Sequence, residues 1–260
     1  MTKTQKIKKL LEDNRAVLLN GEIQNGICFD GIINEPTYEN VVVLLKETNG
    51  NDDSGEDIAT HSDWDYVYWL KHQQADNEPE MKKDKKDKEY LDTNPFYYHT
   101  FKKLCHWLCM LFDVLGDGKT DPDKYLMDGK VDIETTRKIL NKVALINLKK
   151  SWGKESTNAQ KLHDYAVHKD IAPIIKQQLD IVEARIVLCC SPDVFWIAND
   201  LYGNPKKIKD NGKELFIADG KAFVKFIHPQ WYGKKEDVLA IQVKETFEWM
   251  YSVLKQEKFI

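Results

Sequence analysis

Four short apolar segments constrain the fold of this chain most strongly. They are Val41 to Leu45, Val143 to Asn147, Arg185 to Cys190 and Ala222 to Ile227. The first three are almost continuously apolar, which is typical of parallel strands covered by helices on both faces. Helical patterns lie between and around them. The sequence therefore predicts an α/β fold: a three-layer α/β/α sandwich with a central, mainly parallel four-stranded sheet.

The helical patterns have recognisable ends. Residues 158–182 begin at a plausible N-cap, Asn158, and Pro173 should kink or divide them. Ser191 before Pro192 predicts the start of another helix, and Gly203 its end. Further amphipathic patterns are expected to bury the following apolar residues: Ile7, Leu10, Leu11 and Val17 near the start, and Val238, Ile241, Val243, Phe247, Met250 and Leu254 in residues 236–255.

The length of 260 residues is enough for one domain with a substantial core. We expect a single domain over residues 1–260, with a variable helical and charged insertion at about residues 51–135. The insertion contains KKDKKDKEY at 82–90, a mixed-charge run that favours a solvated loop or a helix extension.

Composition favours a cytoplasmic protein with no membrane partner. No apolar run approaches the roughly 20 residues that cross a bilayer, and MTKTQKIKKLLEDN lacks the apolar region of a secretory signal. Five cysteines, an odd number without a regular framework, fit a reducing compartment. Cys105 and Cys109 are four residues apart, but without a CxxC pair they are expected to be buried apolar side chains rather than metal ligands.

Polar side chains follow the strands at the edge where ligands bind in open parallel sheets. Glu47 and Asn49 follow the first strand, the second ends in Asn147, and the fourth runs into His228-Pro229. Taken singly, Glu47 favours an exposed ion pair with Lys46. Asn147 is equally compatible with a strand end that bonds nearby backbone, and His228 with a turn. Their joint placement at strand ends favours a functional site.

The order and context of these residues resemble the uracil-DNA glycosylase superfamily over roughly residues 40–235. In that family an apolar strand precedes a segment bearing Asp or Asn, a later strand ends in Asn, and a late strand runs into His-Pro and a DNA-penetrating loop. The resemblance implies that Glu47 positions the attacking water, that Asn147 binds the base edge, and that His228 stabilises charge on the departing base.

Other residues are expected to hold the DNA. Asn49 and an aromatic residue of the insertion, Trp64 or Tyr66, are candidates for contacts with the base. Residues 142–235 carry sixteen Lys or Arg against ten Asp or Glu, a balance of +6 that leaves room for a basic face. The candidates for contacts with phosphates or neighbouring bases are Lys149, Lys150, Trp231, Tyr232 and Lys234.

The chain also departs from the family pattern. Leu45 stands where Gly is usual, Thr48 where Pro is usual, and Gln230 where Ser is common; Glu47 is one methylene longer than Asp. These departures favour a substrate other than plain uracil. The prediction is a DNA glycosylase that hydrolyses the bond to a deaminated or modified base, such as a modified base of invading phage DNA, in base-excision repair or antiviral defence.

No cofactor or metal is expected, because the cysteines do not reproduce the iron–sulfur ligand pattern of some relatives. Two other classes stay open. One is a non-catalytic protein on the same fold that binds a nucleotide, a nucleic acid or a partner. The other is a hydrolase of free nucleosides or nucleotides.

Overall fold

The computed structural model describes residues 1–19, 26–46, 64–65, 81–83, 89–91, 99–125, 138–151, 158–229 and 236–260. The chain divides into two units: Met1–Val67 with Asn141–Ile227, and Tyr68–Leu140 with His228–Ile260. The expected single domain with an insertion stays a prediction.

The elements are numbered in chain order. The strands β1 to β11 are Cys28–Phe29, Gly31–Ile32, Val41–Leu45, Trp64–Asp65, Met81–Lys83, Glu89–Leu91, Val143–Asn147, Ile186–Cys190, Ile208–Asp210, Lys213–Ala218 and Lys221–Phe226. The helices α1 to α7 are Lys3–Asp13, Arg15–Leu19, His99–Asp117, Ala159–Ala166, Ala172–Ile181, Pro192–Leu201 and Glu236–Gln256, and short 3₁₀ helices cover Glu35–Thr37 and Pro122–Tyr125.

The first unit contains a seven-stranded mixed sheet with the order β2-β7-β3-β8-β11-β10-β9. Its four central strands, β7, β3, β8 and β11, are parallel and lie within a residue of the four predicted segments. β2 at one edge and β10 and β9 at the other are antiparallel to their neighbours. The α/β class is confirmed, and the prediction of four strands is too small.

Both faces of the central strands are buried, as their continuous apolar sequence predicts. Alternate residues such as Val42, Ile146 and Phe223 belong to one core with residues of α1, α4, α5 and α6. The residues between them, including Val43 and Leu145, are buried on the opposite face. A strand that is buried on both faces does not need polar residues at alternate positions.

The helix ends of this unit lie where the sequence predicts them. The side chain of Asn158 accepts a hydrogen bond from the N–H of Lys161 at 3.0 Å, and the Ser191 hydroxyl accepts one from Val194 at 3.1 Å. Pro173 lies in the first turn of α5, so the predicted long helix is divided into α4 and α5. Gly203 follows α6 with φ of +78°, a left-handed conformation that favours glycine.

In the second unit, α3 and α7 pack together and both contact the 3₁₀ helix at Pro122–Tyr125. The Tyr125 hydroxyl donates to Asp113 at 2.7 Å, and the Tyr125 carbonyl lies 2.7 Å from Nδ1 of His106. β5 and β6 form an antiparallel pair within the charged run, where a loop or helix extension was expected.

Three apolar residues that were expected in helical cores are exposed. Val17 of α2 is 38% exposed, and Val238 and Ile241 of α7 are 45% and 49% exposed. Val238 and Ile241 are three residues apart, so they share a side of α7. The buried residues described in α7 are Leu239, Ala240, Val243, Phe247, Met250, Val253 and Leu254. The apolar pattern of residues 236–255 was therefore wider than the face that packs. Among the described residues, no helix is long and apolar enough to cross a membrane.

Helix α1 begins with a capping box of Thr2 and Gln5, and a distant carboxylate caps it further. The Glu35 carboxylate accepts hydrogen bonds from the backbone N–H groups of Lys3 at 2.8 Å and Thr4 at 3.2 Å, and from the Thr4 hydroxyl at 3.2 Å. Partial burial opposes its ionisation, but these donors outweigh burial and hold the pKa of Glu35 below its ordinary value. The cap ties α1 to the segment that precedes β3.

We expect Glu35→Gln to destabilise the protein by about 1 kcal/mol, because it replaces a charged acceptor of two N–H groups at the start of α1 by a neutral amide. Because the folded pKa of Glu35 lies below its unfolded value, its contribution is complete above the unfolded pKa and disappears as pH falls through the folded pKa. Urea unfolding of both proteins between pH 3 and 7 (about the range that spans carboxyl titration) measures the difference.

The control is Glu39→Gln, which removes a carboxylate from the half-exposed pair with Lys142 and is expected to change stability by less than about 1 kcal/mol. The assignment of Glu35 as a cap would be contradicted if the two variants lost the same free energy of unfolding. It would also be contradicted if the loss in Glu35→Gln did not decline at low pH.

Candidate functional site at the carboxyl end of strand β7

The carboxyl ends of the central parallel strands lie at one edge of the sheet. Leu45 of β3 pairs with Asn147 of β7, and Leu44 pairs with Cys189 of β8. Phe226 of β11 pairs with Cys190. Asn147 is therefore at the edge where ligands bind in open α/β sheets.

Beside Asn147 the first unit contains a fully buried ion pair. The Nζ atom of Lys150 lies 2.9 Å from both carboxylate oxygens of Asp30, and both side chains are 0% exposed. The carboxylate also accepts from the backbone N–H of Asn147 at 2.6 Å and from Nε2 of Gln178 at 2.7 Å. Charged side chains are almost never fully buried without such partners, because transfer out of water is costly.

The Asp30 carboxylate replaces a missing backbone acceptor. β2 pairs with β7 at Gly31 and Ile32, and the N–H of Cys28 donates to the Lys150 carbonyl at 2.7 Å. Gly31 pairs with Leu145 and Ile27 with Ser151, so residues 28–30 lie opposite residues 146–150 and the ladder is interrupted between these connections. At this interruption the Asp30 side chain receives the Asn147 N–H. Gly31 has φ of +147°, and an added Cβ would lie 3.1 Å from the Ile7 side chain. Glycine is therefore favoured at this interruption of the ladder.

Every backbone N–H from residue 147 to residue 150 has an acceptor. After Asn147, the N–H groups of Leu148 and Lys149 donate to the carbonyls of Leu45 and Lys46, each at 2.9 Å. The N–H of Lys150 donates to the Tyr165 hydroxyl at 3.3 Å, and that hydroxyl donates to the Leu18 carbonyl at 2.8 Å. The segment after β7 is thus held by β3 on one side and by Asp30 and Tyr165 on the other.

The Asn147 side chain lies on the other face of the strand from this network. Strand alternation places it with Val143 and Leu145, whereas Ala144 and Ile146 belong to the core that contains the helices of the first unit. Asn147 is 2% exposed, so only a group that enters the protein interior can contact its amide.

Lys46, the residue after β3, forms an ion pair with Asp193 at 2.7 Å. Asp193 lies in the first turn of α6, where a carboxylate is favoured by the helix dipole. Both side chains are partly exposed. This pair connects the end of β3 to the helix that follows β8.

Several predicted site residues lie outside the described residues: Glu47, Asn49, Trp231, Tyr232 and Lys234. Trp64 lies in β4, whose backbone pairs in parallel with β1 opposite Cys28, so its strand is adjacent to the segment that contacts Lys150. Lys149 is partly buried and follows Asn147 by two residues. His228, partly buried, begins the second unit, two residues after the end of β11. The roles expected for these residues stay predictions.

The expected contact of Lys150 with DNA phosphate is corrected by the structure. Its ammonium is buried against Asp30, where solvent and phosphate have no access. The run Lys149-Lys150 looks uniformly basic in sequence, but the two side chains occupy different environments.

Sequence reasoning missed Asp30, Gln178 and Tyr165. Asp30 is the one charged residue in the segment ICFDGII, and a carboxylate inside an apolar segment indicates a buried polar contact. Gln178 interrupts the apolar stripe of α5 between Ile175 and Leu179. No sequence pattern indicated that Lys150 would be their common partner, because the residues are far apart in the chain.

In the described part of the chain, no group of three or more His, Cys, Asp or Glu side chains is placed to hold a metal ion. All five cysteines are buried, and none of them forms a disulfide. Burial raises the pKa of the Cys105 and Cys189 thiols, which disfavours the thiolate that a metal or a nucleophilic reaction needs.

Comparisons of the chain with protein-family models, with curated proteins and with solved structures find no match.

We expect Lys150→Met to lower the free energy of unfolding by about 3–5 kcal/mol, because it leaves the Asp30 carboxylate buried without its cation. Lys46→Met removes the partly exposed partner of Asp193 and should cost less than about 1 kcal/mol. Denaturant unfolding of both variants at neutral pH measures the contrast. Similar losses in the two would show that the Asp30 pair is not enclosed as described.

Proposed function

We propose that this protein is a DNA glycosylase that hydrolyses the bond between deoxyribose and a deaminated or modified base, on a three-layer α/β/α sandwich. The observation that carries the proposal is the position of Asn147: at the carboxyl end of a central parallel strand, nearly inaccessible, with its backbone held on both sides. The resemblance described above supplies the reaction.

Asn147 is suited to recognise a base edge. Its amide has a carbonyl acceptor and an NH₂ donor, so it pairs with a base edge that presents one donor and one acceptor. At 2% exposure it cannot contact a base that stays stacked in a duplex. Recognition through Asn147 requires that the nucleotide be flipped out of the helix, at a cost of a few kcal/mol.

Glu47 and His228 are proposed to act on the two charges that develop as the bond breaks. The carboxylate of Glu47 orients water and stabilises positive charge on the sugar. The imidazole of His228 donates a hydrogen bond to a base oxygen and stabilises the negative charge on the departing base, which a neutral ring can also do.

Lys149, Trp231, Tyr232 and Lys234 are proposed to hold the DNA around the flipped nucleotide. Lysines neutralise phosphates and release counterions, so binding should weaken steeply as salt increases. The aromatic side chains fill the space that the base vacates or stack on its neighbour. Because Lys150 is buried, the phosphate contact falls to Lys149 in this segment.

The proposal predicts base release from at least one duplex in a panel that carries uracil, other deaminated bases and modified phage bases. Alkali cleavage after incubation reveals abasic sites, and chromatography identifies the free base. Salt-dependent DNA binding without base release from any substrate would instead indicate a non-catalytic nucleic-acid-binding protein. Release from free nucleosides with little salt dependence would indicate a nucleoside hydrolase.

On the substrate that is cleaved, His228→Ala should lower kcat by about 10²- to 10³-fold, the typical loss for one donor to a developing anion. Glu47→Gln should also lower kcat strongly, while both variants keep DNA affinity. Glu39→Gln, which removes one carboxylate from a half-exposed ion pair, is the control for a charge change outside the proposed site and should retain full turnover. Wild-type kcat in the His228→Ala and Glu47→Gln variants would rule out the assigned roles.

A further inference from the structure

We propose that Asp30 is a positioning residue for Asn147: together with Lys150 it fixes the peptide from which the base-binding amide projects. The catalytic part of this inference rests on the proposed function. The buried charge cluster takes no part in the chemistry proposed above. Asp30 lies more than a hundred positions before Asn147 and Lys150 in the chain.

Stability alone does not account for the cluster. Replacing a buried ion pair by apolar side chains of similar size is often neutral or stabilising, because the attraction rarely exceeds the cost of desolvation. What charged partners provide, and apolar ones do not, is directional contact. Here the carboxylate receives donors from three different elements: Lys150 after β7, Gln178 of α5 and the Asn147 backbone.

Hydrogen bonds fix the orientation of the two peptide groups that flank the Asn147 Cα. Its N–H points to the Asp30 carboxylate at 2.6 Å, in the range of charge-assisted hydrogen bonds. On the other side of the strand, the next N–H donates to the Leu45 carbonyl at 2.9 Å. The peptide planes on either side of the Asn147 Cα are therefore both fixed, and with them the direction of its Cβ. These bonds lie at the two edges of the strand, and the Asn147 side chain projects from a face of the strand, so they do not compete for its amide.

Gln178 fixes the orientation of the carboxylate. Its Nε2 donates to Asp30 Oδ1 at 2.7 Å and lies 3.4 Å from the Asp30 carbonyl. Its Oε1 is buried and has no hydrogen-bond partner among the described residues. A reversed amide would direct that oxygen at the carboxylate, so the observed orientation is the favourable one. Gln178 thus binds Oδ1 of Asp30, while the Asn147 N–H binds Oδ2.

The test is the double variant Asp30→Leu/Lys150→Met, which removes both charges and keeps apolar side chains of similar length. The matched control is Asp180→Leu/Lys221→Met, the same substitutions in another Asp–Lys pair of the first unit, in which Lys221 is buried and Asp180 is exposed. Amide proton exchange and the ¹H–¹⁵N resonance of Asn147 are measured by NMR, and kcat and KM are measured on the cleaved duplex.

If Asp30 positions Asn147, the double variant unfolds cooperatively, yet the Asn147 amide exchanges at least about tenfold faster and its resonance moves. On an active substrate kcat falls by about 100-fold, the typical loss when a reacting group is displaced by about 1 Å. KM changes little, because the phosphate contacts are untouched. The control pair leaves Asn147 exchange and kcat at wild-type values.

Unchanged exchange and an unchanged resonance of Asn147 in the folded double variant would overturn the positioning role. If that variant fails to fold, Asp30→Asn is used instead. The Asn amide has the shape of the carboxylate, but its NH₂ group faces the donors that bind Asp30, so the same displacement of Asn147 is expected. If wild-type protein releases no base from any duplex, the proposed function fails, and the NMR result decides the positioning role by itself.

Discussion

In the first unit, the arrangement of the chain around the end of β7 depends on the contact between the Asp30 carboxylate and the Lys150 ammonium. Neither charge can be buried alone, so the segment after β7 and the residue before β2 must meet. Their meeting determines the other contacts: Gly31 must adopt a conformation that favours glycine, Gln178 must face inward from α5, and the Asn147 N–H must end on a carboxylate. A single electrostatic requirement thus connects three elements that are distant in sequence.

In β7, the groups that hold the Asn147 backbone are separate from the side-chain amide that is proposed to bind the base. Ala144 and Ile146 of β7 pack into the core that includes α5, the helix that contributes Gln178 to the charge network, and the Asn147 side chain is on the opposite face of the strand. Such a division suits a group that must recognise a ligand by direction, because the hydrogen bonds that hold the backbone do not compete for the side chain. The adjoining strand β3 contributes the second half of the support through the Leu45 and Lys46 carbonyls, and Asp193 of α6 holds the Lys46 side chain.

The sequence predicted the four central strands and most helix ends, because continuous apolar runs and capping residues act locally. It missed the edge strands β9 and β10, although Asn211-Gly212 and Asp219-Gly220 carry the left-handed turns that two-residue hairpins require. It placed Asn147 at a strand end but assigned Lys150 to solvent, since burial of a charge depends on a partner 120 residues away. Val238 and Ile241 show the same limit: an amphipathic pattern indicates an apolar face, not which part of it is covered.

The central claim is that the Asn147 amide, held in place from behind by Asp30, binds an extruded base. A crystal structure of the Glu47→Gln variant with a duplex containing the cleaved base tests it most directly. We expect the flipped base to lie with its edge about 3 Å from both Nδ2 and Oδ1 of Asn147, while Asp30 still accepts the Asn147 N–H. A base bound elsewhere, with Asn147 enclosed and out of contact with it, would contradict the account.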